Sequence, residues 1–323
     1  MALQKGKDVF GIAKQSAKGT IAANPAFAHG LAGGGMSIDV SQDPDELTSA
    51  YLNPSGAFRD KIDSGAKIET RVWQKAIGLY LLGALGSDIV TGTGPYVHTL
   101  TLGSTLAYLS AFEKKGDATL YALKDCKVDE LVLEWEENKP LVMNATLTGG
   151  AFSIPATFVP SVIDESDTSN YYTPVGGTFK YDVDSATPVT SSVKGGKITI
   201  KRSAEAQFYS GAIEAADVFE GGLEIAVALS VVPDDMLLWK NIVTGSTSGT
   251  TLLTAPQYGS FEHTFVFGTD SLKITCAHVD FRCDMPEADP KGGAVVSELV
   301  GNAYRGATAT PITVVLTNTV ASY

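Results

Sequence analysis

Cys276-Ala-His278-Val-Asp280-Phe-Arg282-Cys283 places two thiols, an imidazole and a carboxylate within eight residues. Those side chains are the usual ligands of zinc, which wants four donors in a tetrahedron. On a strand, however, alternate side chains point to opposite faces. Cys276, His278 and Asp280 would share one face while Cys283 points away, so a closed site is not made. The expectation is buried thiols and a hydrogen-bonded histidine, with no metal and no cofactor. The other histidines, His29, His98 and His263, stand far apart without the spacing of a metalloprotease helix.

The remaining chemistry-bearing patterns fail on context. Gly30-Leu-Ala-Gly33-Gly34-Gly35 is glycine-rich, but it lacks a following Lys-Ser/Thr and leads into a strand, so no phosphate cradle forms at a helix N-terminus. Gly245-Ser-Thr-Ser-Gly249 imitates a nucleophile elbow with threonine at its centre and no strand-turn-helix around it. The acidic pairs Glu136-Glu137 and Asp234-Asp235 have no partner that would split their pKa values. Asn144-Ala145-Thr146 has the form of a glycosylation sequon, but the front of the chain does not read as an export signal. The sequence is therefore not expected to encode an enzyme.

Bulk properties narrow the class. The chain has 323 residues, is 44% hydrophobic and carries a formal charge of −12. It is apolar enough to build a full core and too acidic to grip nucleic-acid phosphates with a cationic surface. Three cysteines without framework spacing suit a reducing assembly site better than a disulfide scaffold. Lys5, Lys7, Lys14 and Lys18 make the first residues basic, and 1–30 reads as an N-terminal arm that could dock on a neighbouring copy or lie solvated.

The elements that would position anything are strands. Short runs rich in Val, Ile, Thr and Tyr are punctuated by Gly, Ser, Thr and Asn. Lys67 to Val72 alternates, as does Leu131 to Glu136, and after a turn at 137–140 the stretch Leu141–Leu147 returns as a hairpin. Further strands are expected at 36–41, 197–202, 223–232, 262–267, 272–282 and 311–317. Helices are expected only at 76–85, 235–243 and 45–52.

IGLYLLGALG, residues 77–86, is the longest apolar run. It is about half the twenty residues that a helical membrane span requires. It also has a twin: Ile77–Gly86 aligns without a gap on Met236–Gly245, with Tyr80 opposite Trp239 and a terminating glycine in each. Each run follows a strand and precedes a His-Thr strand, at His98-Thr99 and His263-Thr264. The reading is a duplicated unit, 31–152 and 197–323, each sealed by a short buried helix. Ile77, Tyr80, Leu81, Met236, Trp239 and Ile242 are the core positions of those helices. The Ser/Thr/Asp/Pro/Gly-rich stretch 153–196 reads as a connector with little core.

Taken together, the strand, the IGLYLLGALGS helix, GTGPYVHTLTL, the hairpin LYALKDCKVDELVLEWEENKPLVMNATLTGGAF and the ending YRGATATPITVVLTNT resemble the tail tube (major tail) proteins of long-tailed bacteriophages. The duplication is similar to that of members with two fused copies that close as trimers with pseudo-sixfold symmetry; six is the alternative subunit count. The resemblance implies a mainly β chain of two tandem β-sandwich or barrel units, each flanked by a helix. Inner hairpins would join those of neighbours into a β-barrel around a lumen. It implies a virion protein assembled in the host cytoplasm, whose partners are itself, a tape measure protein in the lumen, tail terminator and distal tail proteins at the ends, and double-stranded DNA passing without specific binding. No membrane is involved. The inner strands are expected at 66–73 with 128–148 and at 222–232 with 311–318. Lumenal acidic candidates by alternation are Glu69, Glu134 and Glu224, on a wall expected to repel phosphates. The arm 1–20 and the loop 43–65 are candidates for ring-to-ring contact. Other readings are a tail terminator or hub, or a tandem β-sandwich adhesin or carbohydrate-binding module using Tyr171-Tyr172 as an aromatic platform.

Overall fold

The computed structural model describes residues 8–44, 57–116, 119–163, 171–184, 193–233, 236–285, 295–307 and 309–323. The helix expected at 45–52, most of the loop 43–65, Lys5, Lys7 and the Asp234-Asp235 pair lie outside these residues. The first half runs β1 (Val9–Lys14), β2 (Phe27–Gly30), β3 (Gly33–Pro44), β4 (Ala57–Arg71), α1 (Ile77–Leu85), β5 (Gly86–Thr91), β6 (Tyr96–Leu102), β7 (Leu109–Lys115), β8 (Thr119–Glu136) and β9 (Val142–Gly149). Then come β10 (Ala151–Ser153), β11 (Val162–Ile163) and β12 (Thr173–Asp182). The second half runs β13 (Val193–Lys201), β14 (Glu205–Gln207), β15 (Asp217–Phe219), β16 (Glu224–Val231), α2 (Leu237–Thr244), β17 (Tyr258–Phe267), β18 (Asp270–Cys283), β19 (Ser297–Ala303) and β20 (Thr313–Asn318). The chain is mainly β, in the sandwich class.

One antiparallel series crosses the whole chain in the order β3-β4-β9-β8-β13-β16-β19-β18. Alternation gives it one buried side. Ala66, Ile68 and Val72, then Ile225, Val227, Leu229 and Val231, all point into the core. A second layer lies against it, built from β5-β6-β20-β18-β17-β12 and from β2-β1-β7-β8-β10. β8 and β18 belong to both layers, each changing sheets where its pairing register shifts. The expected pairing of 222–232 with 311–318 is therefore corrected. β16 pairs with β13 and β19, while β20 lies in the other layer between β18 and β6. The strand overlooked there, Ser297–Ala303, alternates cleanly but contains Gly, Asn and Glu, which weaken its strand signal.

The two helices are sealed to different degrees. All nine residues of α1 are buried, Ile77, Tyr80 and Leu81 among them. In α2 only Asn241 is buried; Trp239 and Ile242 are half-buried. Met236, expected with the core, is 39% exposed. The cause lies in composition. IGLYLLGAL has no polar side chain beyond a tyrosine hydroxyl, whereas α2 carries Lys240 and Asn241. Burying Asn241 requires a partner, which Asp184 Oδ2 supplies at 2.9 Å. Both helices stop at a left-handed glycine, Gly86 (φ 95°) and Gly245 (φ 79°), where a side chain would be strained.

Two segments do more than expected. Residues 9–14, read as part of a free arm, form β1 between β2 and β7 and bury Phe10 and Ile12 completely, because Val-Phe-Gly-Ile-Ala is apolar enough to join the core. Lys14 donates to the Tyr323 carbonyl and Lys18 pairs with Asp217, so these cations are engaged within the chain. The stretch 153–196 contributes β11, β12 and the buried Tyr172 and Tyr181. Tyr172 N–H donates to the Val72 carbonyl and its own carbonyl accepts from Leu141 N–H, bridging the ends of β4 and β9.

Buried histidines make the fold acid-sensitive. His29 Nδ1–H donates to the Gly30 carbonyl at 3.0 Å, so its Nε2 accepts from the Tyr80 hydroxyl at 2.8 Å. Burial pushes His29 down to about 4 and His263 down to about 3. The unfolded chain takes up these protons near pH 6.5 while the fold does not, so stability present above 6.5 drains away as pH falls toward 4. Each group adds a slope of about 1.4 kcal/mol per pH unit in that window. His263→Phe should flatten the stability–pH curve between pH 6 and 4 by that amount, measured by urea unfolding. An unchanged slope would show that His263 is not held neutral by the core.

Candidate assembly surface

The side chains that opened the chemical question are used for structure. Strand β18 carries an extra residue opposite Gly259–Phe261, so Cys276 and Val279 are both buried and the alternation expected to align Cys276, His278 and Asp280 is broken. His278 stacks on Tyr258 at 3.9 Å, and Asp280 accepts from Arg282 at 2.6 Å. Burial pushes the Cys126 and Cys276 thiols up to about 12, far from the reactive thiolate range. His98 is held between Asp88 Oδ2 and the Val320 carbonyl. Tyr172 is fully buried and Tyr171 carries the Arg71 guanidinium over its ring at 5.0 Å, so the pair is not the solvent-facing aromatic platform of the adhesin reading.

The extended, polar and continuous feature is the outward side of the eight-strand series. Cross-strand register lines its residues into rows. One row reads Glu69, Asn144, Val132, Thr199, Ala226, Asn302. A second reads Lys67, Thr146, Glu130, Lys201, Glu224. A third reads Arg71, Val142, Glu134, Lys197, Ala228, Val300, Arg282. Glu69, Glu134 and Glu224 thus project from one shared side, and all three are exposed. The wall is not uniformly acidic, which corrects the expectation. Lys201 stands between Glu130 and Glu224 and Lys197 opposite Glu134, an interleaving that favours strand pairing and leaves no unbroken cationic track for a phosphate backbone.

The joint between the halves is β8 against β13, with Leu133 opposite Ile198, Leu131 opposite Ile200 and Trp135 opposite Gly196. A Cβ on Gly196 would stand 2.4 Å from Trp135 Cζ2, so only glycine admits the indole. At the two ends of the series, β3 pairs with β4 alone, and the final residues of β18 pair with β19 alone, among the described strands. A sheet that ends in two strands without further strand partners offers backbone donors and acceptors to which another chain's strand could pair.

A family description, "Phage tail tube protein", matches residues 7–298. The chain belongs to the phage tail tube protein family. No curated protein matches it. The family is structural and non-enzymatic, and membership makes this chain a component of a virion tail that assembles with copies of itself and with other tail parts. For this tail tube family member, sequence reasoning expected strands at 36–41 and 272–282 but missed that β3 begins at Gly33, that β18 runs on to Cys283, and that these two strands end the series. The missed ends lie in glycine-rich and charged stretches with little periodic signal. The available signal was spacing: Val72 precedes Gly86 by the same interval as Val231 precedes Gly245.

Proposed function

We propose that this chain is the ring-forming subunit of the tail conduit, with two tandem units, 31–152 and 197–323, each supplying four strands to a barrel shared between copies. The observation that carries the reading is the eight-strand series with two open edges and one polar side. That side, bearing Glu69, Glu134 and Glu224 among interleaved lysines, would face the bore, with the buried side against the second layer. Three chains would close a pseudo-sixfold ring. Rings would stack around a tape measure protein during assembly in the host cytoplasm, meet terminator and distal proteins at the ends, and later pass double-stranded DNA without binding it. Interleaved charges suit that last task, since adhesion to DNA grows with uncompensated lysine and arginine.

Negative-stain imaging of the purified protein, before and after concentration, should show rings or hollow filaments. Native mass spectrometry of single, unstacked rings should find three 33.9 kDa chains in each. Single rings that never stack would favour a terminator, six chains in a single unstacked ring would reject the trimeric closure, and monomers at every concentration would reject the conduit.

A further inference from the structure

The joint inside the chain predicts the joint between chains. The two halves can be brought into correspondence through their own pairings. Ala66, Ile68, Thr70 and Val72 lead into α1 as Ile225, Val227, Leu229 and Val231 lead into α2, at the same interval from the stopping glycine. Ile68 therefore corresponds to Val227. Gly34 is paired with Ile68 and Ile198 with Val227, so Gly34 of β3 occupies the place of Ile198 of β13. Likewise Ala145 and Gly301 are the partners of Ile68 and Val227, and they pair onward with Leu131 and Phe281. Leu133 then corresponds to Cys283, and Trp135 to Met285.

The geometry points to β18 of one copy adding antiparallel to β3 of the next, in the register that β8 and β13 use within the chain. Phe281 would lie opposite Met36 of the next copy, Cys283 opposite Gly34, and Met285 opposite Ala32. This rests on the ring reading above and specifies its interface.

Three observations support the assignment. Neither edge has a further strand partner among the described strands, although the Met36 N–H on β3 donates to Glu113 Oε2 at 2.8 Å and would have to exchange that bond for one to the next copy. Met285 is 59% exposed, whereas Trp135 at the corresponding position is 3% exposed because β13 and the second layer cover it. An apolar side chain on a strand's continuation, uncovered in one half and covered in the other, marks a missing neighbour. The steric match also recurs: Trp135 faces Gly196 inside the chain, and Met285 would face the small Ala32. Because the two edges differ, the contact is head-to-tail, the kind that builds rings when its rotation closes, and not that of a two-fold dimer.

Disulfide trapping tests the register. Gly33 would lie opposite Asp284 of the neighbour, on the polar side. A Cβ on Gly33 meets first the far end of the Glu69 side chain, which can move. Gly33→Cys with Asp284→Cys, in a Cys283→Ser background, is assembled, checked for rings by microscopy and oxidised. A reductant-sensitive ladder up to the whole ring is expected on a denaturing gel, with at least ~10-fold less product from Gly33→Cys with Arg282→Cys, displaced by two residues. Rings that give no ladder, or more product from the displaced pair, would overturn the register while leaving the conduit standing. Absence of rings in the unmutated protein would overturn the conduit and this interface together.

Discussion

Replacing Gly78 with alanine should destabilise the protein by about 3 kcal/mol, although the same change in an ordinary helix gains about 1 kcal/mol. Gly78 lies inside α1, and a Cβ there would stand 2.1 Å from the ring of Tyr323. The ring cannot step aside cheaply. Its hydroxyl donates to the Lys75 carbonyl at 2.8 Å and accepts from Asn318 Nδ2 at 2.6 Å, and the ring packs on His98 with centroids 4.7 Å apart. Expelling it forfeits about 2 kcal/mol of apolar burial and about 1 kcal/mol for each hydrogen bond, against the small helical gain. Tyr323→Ala alone should cost a similar amount. The double variant should cost clearly less than the two added together, because the clash vanishes with the ring. Urea unfolding of all four proteins measures the coupling. A stabilised Gly78→Ala would mean that the ring does not occupy this place.

Trp135→Ala should cost about 4 kcal/mol, the range for deleting a large buried aromatic side chain. Trp135 is 3% exposed and meets His263 and Phe265 edge-on, with centroids at 4.8 and 5.4 Å, and Phe261 at 6.1 Å, while Gly196 opposes it with bare backbone. It therefore ties three things at one point: the β8–β13 joint, the second layer and the aromatic cluster on β17. Gly196→Ala attacks the same point from the other side and should lose stability too, since its Cβ meets the indole and the Ala228 carbonyl, 2.9 Å away. Near-ultraviolet circular dichroism with chemical denaturation follows both. A loss below about 1 kcal/mol for Trp135→Ala would show that the joint between the halves is not held there.

What could be read from the sequence was what neighbours along the chain decide. Unbroken apolarity from Ile77 to Leu85 forced a sealed helix, and the glycines after it and after Thr244 supplied the left-handed stops. Alternation through Leu131–Trp135 and Leu141–Leu147, with a turn between them, specified the β8–β9 hairpin. The same alternation set Glu69, Glu134 and Glu224 apart from the apolar positions of their strands. Each of these follows from side chains within a few residues of one another, where spacing alone fixes which way they point.

The tertiary structure decided which strands meet. Gly196 finds Trp135, Val315 of β20 pairs with Thr99 of β6, and Tyr172 bridges Val72 and Leu141; none of these is encoded by local periodicity. It also decided that Lys197 and Lys201 would stand beside acidic residues of the other half, turning an expected acidic wall into an interleaved one. One extra residue in β18 reversed the facing of His278 and Asp280 relative to Cys276. Strand edges offer nearly identical backbone hydrogen bonds to any partner. Their choice is settled by which distant side chains fill the space between the layers, and that is a property of the packed whole.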